Sequence, residues 1–152
     1  MIPQDDERMP EAFRRYGCRV RALLAIAEMD VGDELTAEQI LDILDYGRGR
    51  KGVIVNDQYR AGRREHLLIN RAFQALHVSR RGVQNGRIHY GDPYYWSGDD
   101  HDYILREYRT DGEYGLHWVL CSRDGDELFD PYDGEYTRGE VTSEMTYRTW
   151  AI

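Results

Sequence analysis

The chain has 152 residues, room for one domain (1–152) with a core that needs no staples, and its 41% hydrophobic content excludes a disordered sequence. No apolar run is long enough to span a membrane, and the acidic start Gln4-Asp5-Asp6-Glu7 is unlike a signal peptide, so the expected setting is a reducing cytoplasm. The net charge of −8 is uneven: −6 over residues 1–47, +8 over 48–87 and −10 over 88–152.

The elements begin with helices. Val20, Leu23, Leu24 and Ala27 recur at i, i+3, i+4 and i+7, which predicts a helix from Gly17 to Met29 that Gly32-Asp33 ends. Thr36-Ala37-Glu38-Gln39 reads as a capping box opening a second helix, with Ile40, Leu41, Ile43 and Leu44, ending near Tyr46-Gly47. A Gly- and Arg-rich loop follows from Gly47 to Gly52, and Val53-Ile54-Val55 is too short to assign. A third helix from Arg63 to His77 places Ile69, Ala72, Phe73 and Leu76 on one face.

After His77 the period changes to that of strands. Gly86-Arg87-Ile88-His89-Tyr90 predicts a short strand, and His101 to Tyr108 a longer one before a turn at Thr110-Asp111-Gly112. Tyr114 to Ser122 is the clearest strand. Arg123-Asp124-Gly125-Asp126 is a hairpin turn, because Asp-Gly tolerates the positive φ such turns need. Glu127 to Asp130 returns, and Thr146 to Ile152 closes the chain. Helices first and antiparallel strands later is an α+β order.

The chemistry follows from the order Cys18, His117, Asp130. A thiol becomes a nucleophile when a base takes its proton and an acceptor holds that base. At the start of a helix the unpaired N–H groups and the dipole favour the thiolate of Cys18, and Gly17 permits close approach of a substrate. A packed, inert cysteine is the competing reading. His117 shares a strand face with Val119 and Cys121, while Leu116, Trp118 and Leu120 share the other. The Asp-Gly turn returns the chain so that Asp130, held before Pro131, approaches the imidazole.

Gly115-Leu116-His117-Trp118-Val119-Leu120, a short hairpin and Phe129-Asp130-Pro131-Tyr132-Asp133-Gly134 resemble the C39-like peptidases of the papain-like superfamily. Tyr16-Gly17-Cys18 before an apolar helix matches their nucleophile segment in order and position. Ile2-Pro3-Gln4 followed by Gly17-Cys18 is similar to small bacterial and phage-associated proteins of that type. The resemblance covers both ends of the chain and leaves Leu35 to Tyr108 without a shared motif.

The resemblance implies a papain-like fold, with N-terminal helices packed on a C-terminal antiparallel sheet, and a thiol hydrolase acting on an amide or isopeptide bond. Cys18 would be the nucleophile, His117 the base and then acid, and Asp130 its orienting partner. The family's oxyanion glutamine usually stands about six residues before the cysteine, where this chain has Ala12. Gln4 is the glutamine upstream, and serves only if the residues between loop out. The reaction asks for no metal or organic cofactor. Its substrate would be a peptide, a protein or a peptidoglycan-type polymer, with no membrane partner.

Other features support other readings. The Arg-rich segment 48–87 could bind nucleic acid, or pair with the acidic flanks. His89, Asp92, Asp99, Asp100, His101 and Asp102 are metal-ligand types without a ligand spacing, so a solvated loop carrying Pro93 to Gly98 is expected there. Cys121 reads as a buried structural thiol. A catalytically inactive binding module on the same fold is the other alternative.

Overall fold

The computed structural model describes residues 1–78, 81–88, 102–112 and 115–151. In chain order the elements are α1 (Glu11–Tyr16), α2 (Cys18–Val31), α3 (Ala37–Arg48), α4 (His66–Ala75), β1 (Arg81–Ile88), β2 (Asp102–Thr110), β3 (Leu116–Ser122), β4 (Glu127–Phe129) and β5 (Arg138–Ala151). The α+β expectation holds. The described strands form one antiparallel sheet in the order β1-β5-β2-β3-β4.

α2 is the centre of the molecule. The sequence predicts an apolar stripe, but every residue from Val20 to Glu28 is buried. A helix wrapped on all sides belongs in a core, where one surrounded by water on one face would not. Its C-terminus closes at Gly32, whose left-handed φ of 77° lets the Gly32 N–H reach the Glu28 carbonyl at 2.9 Å. α3 starts with the expected reciprocal cap: Thr36 Oγ1 accepts from the Gln39 N–H at 3.1 Å and Gln39 Oε1 from the Thr36 N–H at 2.9 Å.

Burial of α2 forces two charges into the core. Arg21 and Glu28 lie two turns apart on the helix with fully buried side chains, and Arg21 Nη1 donates to Glu28 Oε1 at 2.6 Å. Each then ties down a neighbouring segment. Arg21 Nε donates to the Ile2 carbonyl at 2.6 Å, and Glu28 Oε2 accepts the Leu35 N–H at 3.0 Å. The Phe129 ring lies 5.0 Å from the guanidinium.

β5 begins at Arg138, eight residues before the predicted start at Thr146. Its first half is polar and shows no apolar alternation. It is a strand because β2 pairs with it from Asp102↔Arg148 to Thr110↔Arg138, with register shifts around Tyr108. β1 pairs the other edge, from Arg81↔Ala151 to Ile88↔Glu144. Trp118, Leu120, Leu105, Tyr103 and Tyr147 join the core with α2, whereas Val119, Cys121 and Ile104 form a small cluster of their own with Tyr108. The alternation predicted for β3 is therefore present.

α1 is absent from the sequence expectation. It has six residues after Pro10, too few to show a period, and it buries one side chain, Phe13. Phe13 also explains Gly17. The φ at Gly17 is an ordinary −84°, but a Cβ there would fall 2.2 Å from the Phe13 ring. The close approach that Gly17 allows within the fold is that of Phe13.

Removing one member of a buried ion pair strands the other, at a cost of roughly 3–5 kcal/mol. Arg21→Ala should lower the urea midpoint by that equivalent, and adding Glu28→Leu should recover much of it. A wild-type midpoint for Arg21→Ala would show that the pair does not anchor the core.

Candidate active site

Cys18 is the first residue of α2, partly exposed at the wall of a cleft of about 910 Å³ between the helices and the sheet. His117, the second residue of β3, lines the same cleft and is 7% exposed. The β3–β4 hairpin turns as expected: Gly125 has φ 89°, and the Ser122 N–H meets the Asp126 carbonyl at 2.8 Å. That return places Asp130 beside the histidine, with His117 Nε2 and Asp130 Oδ1 2.6 Å apart. Cys18 is near enough to act on the protonation of the imidazole, and with Nε2 turned to Asp130 the ring nitrogen left for the thiol is Nδ1.

The electrostatics follow from these contacts. Burial alone would push the His117 imidazole towards its neutral form. The hydrogen bonds and charges of Asp130 and Cys18 outweigh it and raise the pKa from 6.5 to about 9. Burial would likewise raise the Asp130 carboxyl. Hydrogen bonds from His117, Tyr136 and the Tyr132 backbone prevail and hold it at about 2. The histidine is therefore held towards its cationic form, with a carboxylate on one nitrogen and Cys18 towards the other.

Asp130 itself is clamped by residues that sequence reasoning missed. Its Oδ1 also accepts the Tyr132 N–H at 3.0 Å. Its Oδ2 accepts the Tyr136 hydroxyl at 2.5 Å and Arg138 Nη2 at 2.8 Å. Arg138 Nε donates in turn to the Tyr136 oxygen at 2.8 Å. Burial and the Asp130 carboxylate push the Tyr136 phenol up, so it keeps the proton it donates. The Tyr136 and Tyr132 rings stand edge-on to His117 at 4.8 and 6.2 Å. Their proximity to Asp130 in sequence was the available signal, but only folding of the 130–138 loop shows which of them turn inward.

The structure also places Gln4 in the cleft. The Gln4 N–H meets the Pro131 carbonyl at 2.7 Å, and the bond from Arg21 to Ile2 fixes the segment just before it. Turns and α1 take up the residues between Gln4 and Cys18, so the intervening chain does loop out. The Gln4 side chain is 2% exposed. Nε2 donates to the Arg14 carbonyl at 3.2 Å, while buried Oε1 has no partner among the described residues. An amide nitrogen carries two hydrogens, so the second remains for a ligand.

Beneath the cleft, Arg19 joins three elements. Its Nη2 donates to Glu65 Oε2 at 2.7 Å, its guanidinium lies 4.8 Å from the Trp118 ring, and Tyr147 donates to Glu65 Oε1 at 2.6 Å. Cys121 is buried and unpaired in the small cluster of the sheet, and burial raises its thiol to about 11. It is the structural thiol expected.

Among the described residues no three His, Cys, Asp or Glu side chains group as a metal site. His89, Asp92, Asp99, Asp100 and His101, and the aromatic residues between them, lie outside the described residues. Several arginines of the basic segment are engaged locally: Arg48 meets Asp57 at 3.7 Å, and Arg50 and Arg71 lie over the Tyr46 ring. Among the described residues no helix is long and apolar enough to cross a membrane. Comparison of the chain with protein-family models, curated proteins and solved structures returned no match.

The two shifted groups act on stability in opposite directions. His117, raised, contributes fully below its ordinary 6.5 and loses that contribution as pH rises through about 9. Asp130, lowered, contributes above 3.8 and loses it as pH falls through about 2. NMR titration of the His117 ring should give a midpoint near 9 in the wild type, moved well towards 6.5 by Asp130→Asn. A midpoint unchanged by that substitution would contradict the coupling.

Proposed function

We propose that the chain is a thiol-dependent hydrolase of the papain-like, C39-like type, cleaving an amide or isopeptide bond through an acyl-thioester on Cys18. The observation that carries this reading is the meeting, in one cleft, of a thiol at the N-terminus of a central helix with an Asp-oriented imidazole from an antiparallel strand. Gln4, buried beside them, supports it further. A papain-like fold is the reading this layout favours, since helix and sheet supply the two halves of the site.

In the first half-reaction His117 takes the Cys18 proton and the sulfur adds to the substrate carbonyl carbon. The developing oxyanion takes hydrogen bonds from the Cys18 backbone N–H and from Gln4 Nε2. His117 then gives its proton to the departing amine as the C–N bond breaks. In the second half-reaction His117 takes a proton from water, whose oxygen attacks the thioester. The C–S bond breaks, the acid leaves and the Cys18–His117 pair is restored. Asp130 stays ionised throughout and stabilises the imidazolium. Donors positioned for the oxyanion are each worth about 100- to 1000-fold in rate.

An activated ester such as p-nitrophenyl acetate tests this without knowledge of the natural substrate. A stoichiometric burst of nitrophenolate should accompany an acyl adduct on Cys18, seen by peptide mass spectrometry. Cys18→Ala should abolish both, and Gln4→Ala should slow acylation by about 100- to 1000-fold. No burst and no adduct would refute the hydrolase and leave a binding module on the same scaffold.

A further inference from the structure

The two walls of the cleft carry opposite charge. On the helical side stand Arg14 from α1 and Arg60 from the loop after α3, with Arg15 beside them paired to Glu11 at 3.3 Å; on the sheet side stand Glu107, Asp111 and Glu135. The first wall is built on a fixed support. An Ile54↔Ala61 bridge closes the loop that carries Arg60, and Tyr59, at a positive φ of 55°, packs its ring 5.5 Å from Phe13 of α1. The second wall is held as well: Glu107 Oε1 accepts from the Thr142 hydroxyl at 2.7 Å and Asp111 Oδ1 from the Thr137 N–H at 2.8 Å. At the tips, the side chains of Arg60 and Glu135 make no hydrogen bond or ion pair among the described residues.

Cys18 and His117 line the same cleft, and its volume of about 910 Å³ is at the upper end for a ligand cleft. That size suits a polymer segment better than a small metabolite. A peptide running extended through such a cleft turns successive side chains to opposite walls, because its side-chain period is two. Opposite walls of opposite charge then select neighbours of opposite charge. A polyanion meets repulsion from the acidic wall, which argues against nucleic acid here.

We propose that the cleft takes an extended polypeptide in which adjacent residues alternate in charge, acidic side chains facing Arg14 and Arg60 and basic ones facing Glu107, Asp111 and Glu135. This assignment rests on the proposed hydrolase reading for its scissile bond, but not for its binding. The uneven charge along the sequence gains a role by it: the basic middle segment supplies Arg60, and the acidic last third supplies the facing wall.

Binding can be measured with the Cys18→Ala protein, which keeps a peptide from being turned over. Three fluorescein-labelled hexapeptides serve as probes in anisotropy titrations at low salt: alternating glutamate and lysine, the same charges segregated into two halves, and glutamine throughout. The alternating peptide should bind about tenfold more tightly than the glutamine peptide and detectably more tightly than the segregated one. Its advantage should shrink with added salt and with Arg60→Glu or Glu135→Lys, both exposed changes whose folding circular dichroism checks. Equal binding of all three, or equal binding of the alternating and segregated peptides, would overturn the inference. Because Cys18 is absent from the assay, failure here leaves the ester burst untouched. Loss of the burst with alternating-peptide binding intact would refute the hydrolase alone.

Discussion

A guanidinium with no exposure to water, Arg21, fixes the geometry on which the site depends. Its pairing with Glu28 neutralises it within α2, and its Nε holds the Ile2 carbonyl, while Nη2 has no partner among the described residues. Burying such a pair is costly unless the surrounding hydrogen bonds are met. Here those bonds attach the N-terminal segment and the α2–α3 connection to the central helix. Gln4 therefore lines the same cleft as Cys18 through a core interaction, not through proximity in sequence. A second bond, from the Gln4 N–H to the Pro131 carbonyl, joins the same segment to the loop that carries Asp130.

The site spans layers. Cys18 comes from the helical side and His117 and Asp130 from one hairpin of the sheet, so their meeting requires α2 and the sheet to be packed rigidly. The Arg19–Glu65–Tyr147 network under the cleft links α2, the start of α4 and β5 at that junction. Around Asp130 the hydrogen-bond capacity is almost filled: histidine, a backbone N–H, a phenol and an arginine all donate to its two oxygens. A carboxylate held in this way neither rotates nor protonates near neutrality. It presents one fixed acceptor to His117, which sets the ring's orientation and raises its proton affinity.

Much of this was legible in the sequence, and the limits have physical causes. The capping box of α3, the left-handed Gly32 stop and the Asp-Gly hairpin are local signals, carried by residues within four positions of each other. So is the strand alternation that divides Trp118 and Leu120 from Val119 and Cys121. α1 was invisible because six residues around one buried phenylalanine have no period. The first half of β5 was invisible because its polar residues are held by the register of β2. Of the candidate site, the thiol, imidazole and carboxylate could be named from their order. The position of Gln4 could not, since it depends on a bond from Arg21 to a backbone carbonyl. Nor could the clamp of Tyr136 and Arg138, which exists only once the loop after β4 has folded.

The central claim is that Cys18 and His117 form a working pair in the resting protein. The most direct measurement is the rate of Cys18 alkylation by iodoacetamide at pH about 6.5, in a Cys121→Ser background, with and without His117→Ala. A free thiol near 8.5 is roughly 1% thiolate at that pH. Labelling at least about tenfold faster than a free cysteine is expected, falling to the free-thiol rate when His117 is removed. A slow rate that the histidine substitution leaves unchanged would contradict the pairing.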